Sequence, residues 1–386
     1  MKSLKLILSD KAYFAPAWVF ASLNIMTGTW VLYLPYVKTK FELDDAQVGI
    51  ALFSLALGLL VSIPFVPILN KRLGVGRSTQ LGIIFYALAF NLPLLSFNYY
   101  ILCACLSLVG FFSGFTDISM NALVSTIEKR DNTHVMSASH GFFSLGGFIG
   151  AGIGSVLMTL ILNPVWHMFL ISMLIVVINI ILSRYYLYVR EEAPVETDKE
   201  DKLAKLKLLF GLAVVAFIIM MNEGSVEHWS NLYLFDIIQT SESKAGLGFI
   251  AFSLCMTIGR FYGDEISKKM GSINIILGGC LIGAFGYILI LSTQLILSVS
   301  GFGVLGLGLS VIIPELFRLA GKTKGVPSSV GIAIVSGIGF AGFLSGPVIL
   351  GFISDWSNLS YSFVFLLCTV ILALSLTFFS VKRMYK

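Results

Sequence analysis

The sequence predicts an all-α integral membrane protein: twelve transmembrane helices arranged as two pseudo-repeated six-helix bundles. Three observations predict it. Of the 386 residues, 57% are hydrophobic and 12% charged, and the mean hydropathy is +0.90; a soluble domain carries about 25% charged residues. Apolar runs of about 20 residues, the length that crosses the hydrocarbon core, recur throughout. The two halves of the chain also repeat one another in order.

The first six spans fall near 12–36, 46–68, 78–96, 100–126, 136–162 and 166–186. The second six fall near 207–235, 244–263, 273–292, 295–317, 328–350 and 361–381. Between the sets lies RYYLYVREEAPVETDKEDKLAKLK (184–207), with six basic and six acidic residues, which reads as a solvated linker. The chain thus divides into an N-terminal bundle (1–186), a cytoplasmic linker (187–206) and a C-terminal bundle (207–386). MKSLKLILSD holds too short an apolar core for a cleaved signal peptide, so the first span reads as an uncleaved anchor. Cys103, Cys105, Cys255, Cys280 and Cys368 are scattered through apolar runs, without disulfide or metal-ligand spacing.

Charge sets the orientation. Of 26 Lys and Arg residues, 22 lie in the N-terminal arm, the even-numbered connections, the central linker and the C-terminal tail. Only Lys38, Lys40 and Lys244 lie on the other side, and Arg260 is within a span. Positive loops stay inside, so both termini are expected in the cytoplasm. The net charge of +5 therefore speaks to topology and gives no sign of nucleic acid.

The repeat is visible residue by residue. Leu32-Tyr33-Leu34 recurs as Leu232-Tyr233-Leu234, and Phe53-Ser54-Leu55 as Phe252-Ser253-Leu254. Lys71-Arg72-Leu73-Gly74 is echoed by Lys268-Lys269-Met270-Gly271, 197 residues on. Ser144, Gly147, Gly150 and Gly154 match Ser336, Gly339, Gly342 and Gly346, 192 residues on. Parallel six-helix repeats characterise one transporter architecture, whose site lies near the midplane between the halves.

NKRLGVGR (70–77) and SKKMG (267–271) resemble the cytoplasmic loop motif of the major facilitator superfamily, although the motif's acid is missing from the first copy. GFTDISMNA (114–122) and HGFFSLGG (140–147) resemble spans 4 and 5 of the fucose-permease-like group within it. EGSVEHWSNLYL (223–234) and GRFYGD (259–264) resemble spans 7 and 8 of that group's uncharacterised bacterial inner-membrane relatives. The resemblance covers nearly the whole chain. It implies the superfamily's fold, a place in the bacterial inner membrane and secondary transport by alternating access. It also implies a proton-coupling role for Asp117, the acid followed four residues later by Asn121. The group's second acid, in span 1, has no counterpart in NIMTGTWVLYLP (24–35), so sugar specificity does not carry over.

The residues themselves single out the same helix. A carboxylate within a span is expensive and marks a cavity, a partner or a transport path. Asp117 is therefore a candidate proton site; the alternative is an acid held by Asn121 to fix helix packing. Glu223 lies near mid-depth of span 7, the most polar span, and is the second proton-site candidate, whereas Glu227 and His228 read as interfacial. Candidate substrate contacts are Asn24, Thr27, Trp30, Asn121, His140, Trp229 and Tyr233. Trp229 and Tyr233 also suit the aromatic belt, and His140 also suits a packing role. Glu128, Arg130, Arg260, Asp264, Glu315 and Arg318 close spans 4, 8 and 10 and read as gating residues; ordinary surface pairs are the alternative. Arg260 and Asp264, one turn apart, are placed to pair.

These readings converge on a proton-coupled secondary transporter of a small polar solute. The alternatives are an exporter of drugs or metabolites with the same fold, and a transporter-like receptor or assembly partner that moves nothing. No nucleotide loop, metal cluster or nucleophile–base pair points to an enzyme, and neither cofactor nor metal is expected. The partners expected are the solute, protons and the lipid bilayer, around a monomer.

Overall fold

The computed structural model describes residues 2–43, 45–161, 163–191, 199–240, 244 and 246–381. A short helix, Lys2–Ser9, precedes the first span. In the first half α1 is Lys11–Val31 (continued by Leu34–Lys40) and α2 is Asp45–Ser62 with Val66–Leu73. Then come α3 (Val75–Ala89, with Leu92–Leu95), α4 (Tyr99–Asp131), α5 (Met136–Leu160) and α6 (Pro164–Ser183). In the second half α7 is Lys199–Leu232, ending in a wide turn over Tyr233–Ile237, and α8 is Leu247–Met270. Next are α9 (Ser272–Ile290), α10 (Leu295–Leu309 with Ile312–Gly321), α11 (Ser328–Trp356) and α12 (Leu359–Leu376).

The twelve-helix membrane fold expected from the sequence is thus observed. Among the described residues nine helices are long and apolar enough to cross a membrane, and the two parts of α2, bent by 52°, make a tenth. The bend falls at Pro64, whose ring removes a backbone donor. The remaining two, α1 and α8, are 21 and 24 residues long. Their hydropathy is lower because α1 carries Asn24, Thr27 and Thr29, and α8 carries Arg260 and Asp264. Helix ends overrun the hydrophobic spans. α4 runs on to Asp131, where Asn132 takes a left-handed φ of 48° and stops it. The charged segment after α6 becomes helical at Lys199, within the stretch expected as linker; residues 192–198 lie outside the described residues.

The halves share one packing plan. α1 lies on α5 as α7 lies on α11, and α2 on α4 as α8 lies on α10. Among the described residues, buried apolar side chains form two clusters. One spans Ile7 to Tyr186 and takes in Ile332 and Ala333; the other spans Leu209 to Ala373. Close approach depends on small residues. A Cβ on Gly150 of α5 would lie 2.3 Å from the Ile25 carbonyl of α1, and one on Gly342 of α11 lies 2.1 Å from that of Phe217 on α7. The tightest approach is between α2 and α4, where a Cβ on Gly110 would stand 1.8 Å from the Leu55 carbonyl oxygen. Because that neighbour is backbone, Gly110→Val must push the helices apart, at a cost of about 3 kcal/mol. A lower melting temperature and loss of a monodisperse size-exclusion peak are expected; a wild-type melt would show the approach to be dispensable.

α4, α8 and α10 end, and α5 and α11 begin, at one end of the bundle, beside the Lys- and Arg-rich connections. This is the basic end of the molecule.

Candidate functional site

Among the described residues, two polar clusters lie between the halves. The first closes the basic end around Arg318 of α10, which is 1% exposed. Its Nε donates to Glu128 Oε2 of α4 at 2.9 Å and its Nη2 to Glu128 Oε1 at 3.1 Å. Arg318 also pairs with Asp264 of α8 and with Glu315, one turn back on α10. Its Nη1 reaches Ser267 Oγ at 3.1 Å, and Lys322 Nζ lies 3.3 Å from Glu128 Oε2.

The same acids cap α5. The first four N–H groups of a helix have no partner within it. Here Val135 and Met136 donate to Glu128 Oε1 at 2.7 and 2.8 Å. Ser137 and Ala138 donate to the Asp264 carboxylate at 3.0 and 2.8 Å. Asp264 belongs to the other half, so the cap crosses the interface and Arg318 ties its two acids together. Ser137 adds a cross-half bond, its hydroxyl donating to the Arg260 carbonyl at 2.7 Å. Burial in a low-dielectric setting makes each contact costly to lose singly.

The second cluster lies deeper, on α4, α5, α7 and α8. Asp117 and Asn121 stand one turn apart on α4, and Asn121 Nδ2 donates to the Asp117 backbone carbonyl at 2.9 Å. That leaves Asn121 Oδ1 to accept from His140 Nε2 of α5 at 3.0 Å. His140 therefore carries a proton on Nε2. Phe20 of α1 and Phe317 of α10 flank the ring. One turn along α5, Ser144 Oγ accepts from Arg260 Nη1 of α8 at 2.5 Å. Arg260 Nη2 lies 3.8 Å from Glu223 Oε2 of α7. Asp117, His140, Glu223 and Arg260 are each at most 9% exposed. Among the described residues, Asp117 Oδ2, Glu223 Oε1 and Arg260 Nε are buried without a hydrogen-bond partner.

The structure thus brings Asp117, Asn121 and His140 together, and Glu223 with Arg260. It differs from the sequence reading in one pairing: Arg260 reaches Glu223 and Ser144, while Asp264 turns to Arg318 and α5. Residues four apart on a helix are neighbours, but partners on other helices outcompete so short a local pair. Arg130 stands apart from the network, half-exposed, and pairs with Asp131 at 2.7 Å. The other substrate-contact candidates hold partners within their own half. Asn24 Nδ2 donates to the Phe143 carbonyl at 3.0 Å, and Thr27 shares a 2.7 Å bond with Tyr86. Trp30 is buried inside the first half against Phe90. Tyr233 is wholly buried against Phe302 and Phe363, its hydroxyl donating to the Ile290 carbonyl. Trp229 donates to the Pro347 carbonyl at 3.1 Å, whereas Glu227 and His228 are exposed. Among the described residues no group of His, Cys, Asp or Glu is arranged to hold a metal.

Ser144 was legible in the sequence only as a repeat position matching Ser336. Its role as Arg260's acceptor had no signal, because the partner is 116 residues away.

Twelve spans in two repeated halves, with buried charges meeting between them, define a multi-pass membrane transporter. The chain belongs to the Major Facilitator Superfamily, whose family model matches residues 17–328. It is 30% identical to an uncharacterised MFS-type transporter of Yersinia pestis over 337 residues, 87% of each chain. It is 27% identical to the membrane protein MosC of Rhizobium meliloti, over 96% of this chain and 90% of that one. Its fold matches the transporter FucP in the outward conformation with a TM-score of 0.78 at 17% identity, covering 95% of this chain and 99% of the other.

Proposed function

We propose that the chain is a secondary active transporter of a small polar solute, coupled to protons, in which bundles 1–186 and 207–386 rock about the central cluster. The basic end is the cytoplasmic one, in a bacterial inner membrane, and the protein works as a monomer. One observation carries the reading: Arg260, which lies against Glu223 in one half, donates to Ser144 in the other, one turn from the His140 that bonds Asn121. A site shared between the halves is remade whenever they rock.

In this mechanism Asp117 and Glu223 take and release the proton, since a charged carboxylate within the membrane is costly and neutralisation relieves it. Asn121 and His140 offer hydrogen bonds to the solute. Arg260 couples the two events, because a solute or proton arriving at Glu223 competes with its loose 3.8 Å contact. Glu128, Asp264, Glu315 and Arg318 form the gate that holds the cytoplasmic end shut.

A thermal-shift screen of the purified protein against sugars, organic acids, amines and peptides would find the solute. That solute should then drive proton movement in proteoliposomes. Solute binding without any proton or solute flux would instead favour a receptor. Glu223→Gln, which frees Arg260, is expected to change solute affinity about tenfold, the scale of one charge-assisted hydrogen bond. An unchanged affinity at every pH would make α7 a scaffold.

A further inference from the structure

One acid of the gate, Asp264, crosses from the second half to cap the first helical turn of α5 in the first half. A two-fold repeat calls for a mirror contact, an acid of α2 capping α11. The residue 197 positions before Asp264, by the offset that relates Lys71 to Lys268, is Pro67. Proline has no side-chain acceptor. Yet the receiving end is intact: Ser329, 192 positions after Ser137, is the second residue of α11 as Ser137 is of α5.

A different acid occupies that end. Glu191 Oε1 accepts from the Ser329 backbone N–H at 2.8 Å, and its Oε2 accepts from the Ser329 hydroxyl at 3.0 Å. The segment that carries Glu191 is docked on the first half. Gly76 N donates to the Val189 carbonyl at 3.1 Å, and Tyr186 is buried. A Cβ on Gly76 would stand 2.1 Å from the Tyr186 carbonyl oxygen, so the segment lies directly on the α2–α3 turn. Beside it Lys129 of α4 donates to Ser328 Oγ at 2.9 Å, a second bond from the first half to the start of α11.

We propose that Glu191 is the second acidic latch of the closed basic end, filling from the linker the place that Pro67 leaves empty on α2. The proposal rests on the alternating-access reading. The cross-half topology is the mirror image of Asp264 on Ser137: an acid anchored to one half, a helix start in the other, and a serine N–H at the same repeat position. The position of the acid in the sequence has changed, but the contact has been kept. Burial raises the Glu191 carboxyl above its ordinary range, while the Ser329 bonds and the Lys129 charge pull it back. The group is thus held out of water at some cost, offset by the helix start it satisfies. It also links the closing of the transporter to the linker between its halves.

The test reads conformation and needs no solute. Spin labels are placed at Lys71 and Lys268, exposed residues of opposite halves at the basic end, in full-length protein with its five cysteines replaced by alanine. Glu191→Ala is expected to shift the label distances from short to long, changing the ratio of closed to open molecules about fivefold, the scale of one lost helix cap. Ser329→Ala, which keeps the backbone N–H, should shift it about twofold in the same direction and is the reading to use if Glu191→Ala unfolds. Asp355→Ala, the same charge change on an exposed residue at the far end of α11, should leave the distances unchanged. Asp264→Ala separates the gate from the latch. Opening by Asp264→Ala without opening by Glu191→Ala or Ser329→Ala overturns the latch and leaves the gate standing. If none of the three opens, the gate and the latch fall together.

Discussion

Asp117→Asn is expected to abolish uphill transport while leaving binding and downhill exchange in place. The amide matches the carboxyl in shape, leaves the 2.9 Å bond from Asn121 to the Asp117 backbone carbonyl untouched, and can offer its oxygen to the longer 3.4 Å contact that Asn121 Nδ2 makes with Asp117 Oδ1. Fold and solute contacts should therefore survive. What is lost is a titrating group in the membrane interior. One proton driven by 100 mV is worth about 2.3 kcal/mol, enough to hold roughly a fiftyfold solute gradient. The mutant should equilibrate the solute and go no further. Accumulation in energised proteoliposomes, beside counterflow in unenergised ones, measures both parts. Accumulation at the wild-type level would remove Asp117 from coupling and leave it as a packing residue of α4.

Arg318→Ala should have the larger structural effect. Arg318 is the cation shared by Glu128, Asp264 and Glu315, which are all at most 1% exposed. Removing one partner of a buried ion pair costs about 3–5 kcal/mol, because three acids then stay buried with only Lys322 and the α5 backbone N–H groups beside them. The cheapest escape is to open the basic end and let water reach the acids. The closed state should lose roughly two orders of magnitude or more in population. Labels at Lys71 and Lys268 would then report long distances almost exclusively, and transport would stop. Arg318→Lys is expected to recover only part of the closure, since an ammonium is a point charge and cannot fork between several carboxylates. Closed distances in Arg318→Ala would show that the caps on α5 hold the gate without the cation.

The membrane class, the helix count and the repeat were legible because each is written locally. A run of about 20 apolar residues must cross the bilayer whatever its neighbours do. The offset of 192 that relates Gly150 to Gly342 also reappears in space, each glycine lying against a carbonyl of the paired helix in its own half. Part of the site was legible for the same reason. Asp117 and Asn121 share a helical face by spacing alone, and a polar group within a span stands out against its surroundings.

Which charges meet was not legible. Arg318 and Glu128 are 190 residues apart, and Arg260 and Ser144 are 116 apart. Spacing along a helix suggested Arg260 with Asp264, yet each found a better partner on another helix. Tyr233 and Trp30 read as cavity residues, since an aromatic in a span suits a cavity, a belt or a core equally well; packing put both in cores. Glu191 was one acid among six in a segment that looked like solvated linker. Only the docking of Val189 on Gly76 brings its carboxylate to Ser329. Hydropathy and repetition therefore decided what kind of molecule this is and how its two halves are built. Tertiary structure decided which buried polar groups face each other across them, because a buried charge takes whichever partner the packing of distant helices brings within about 3 Å.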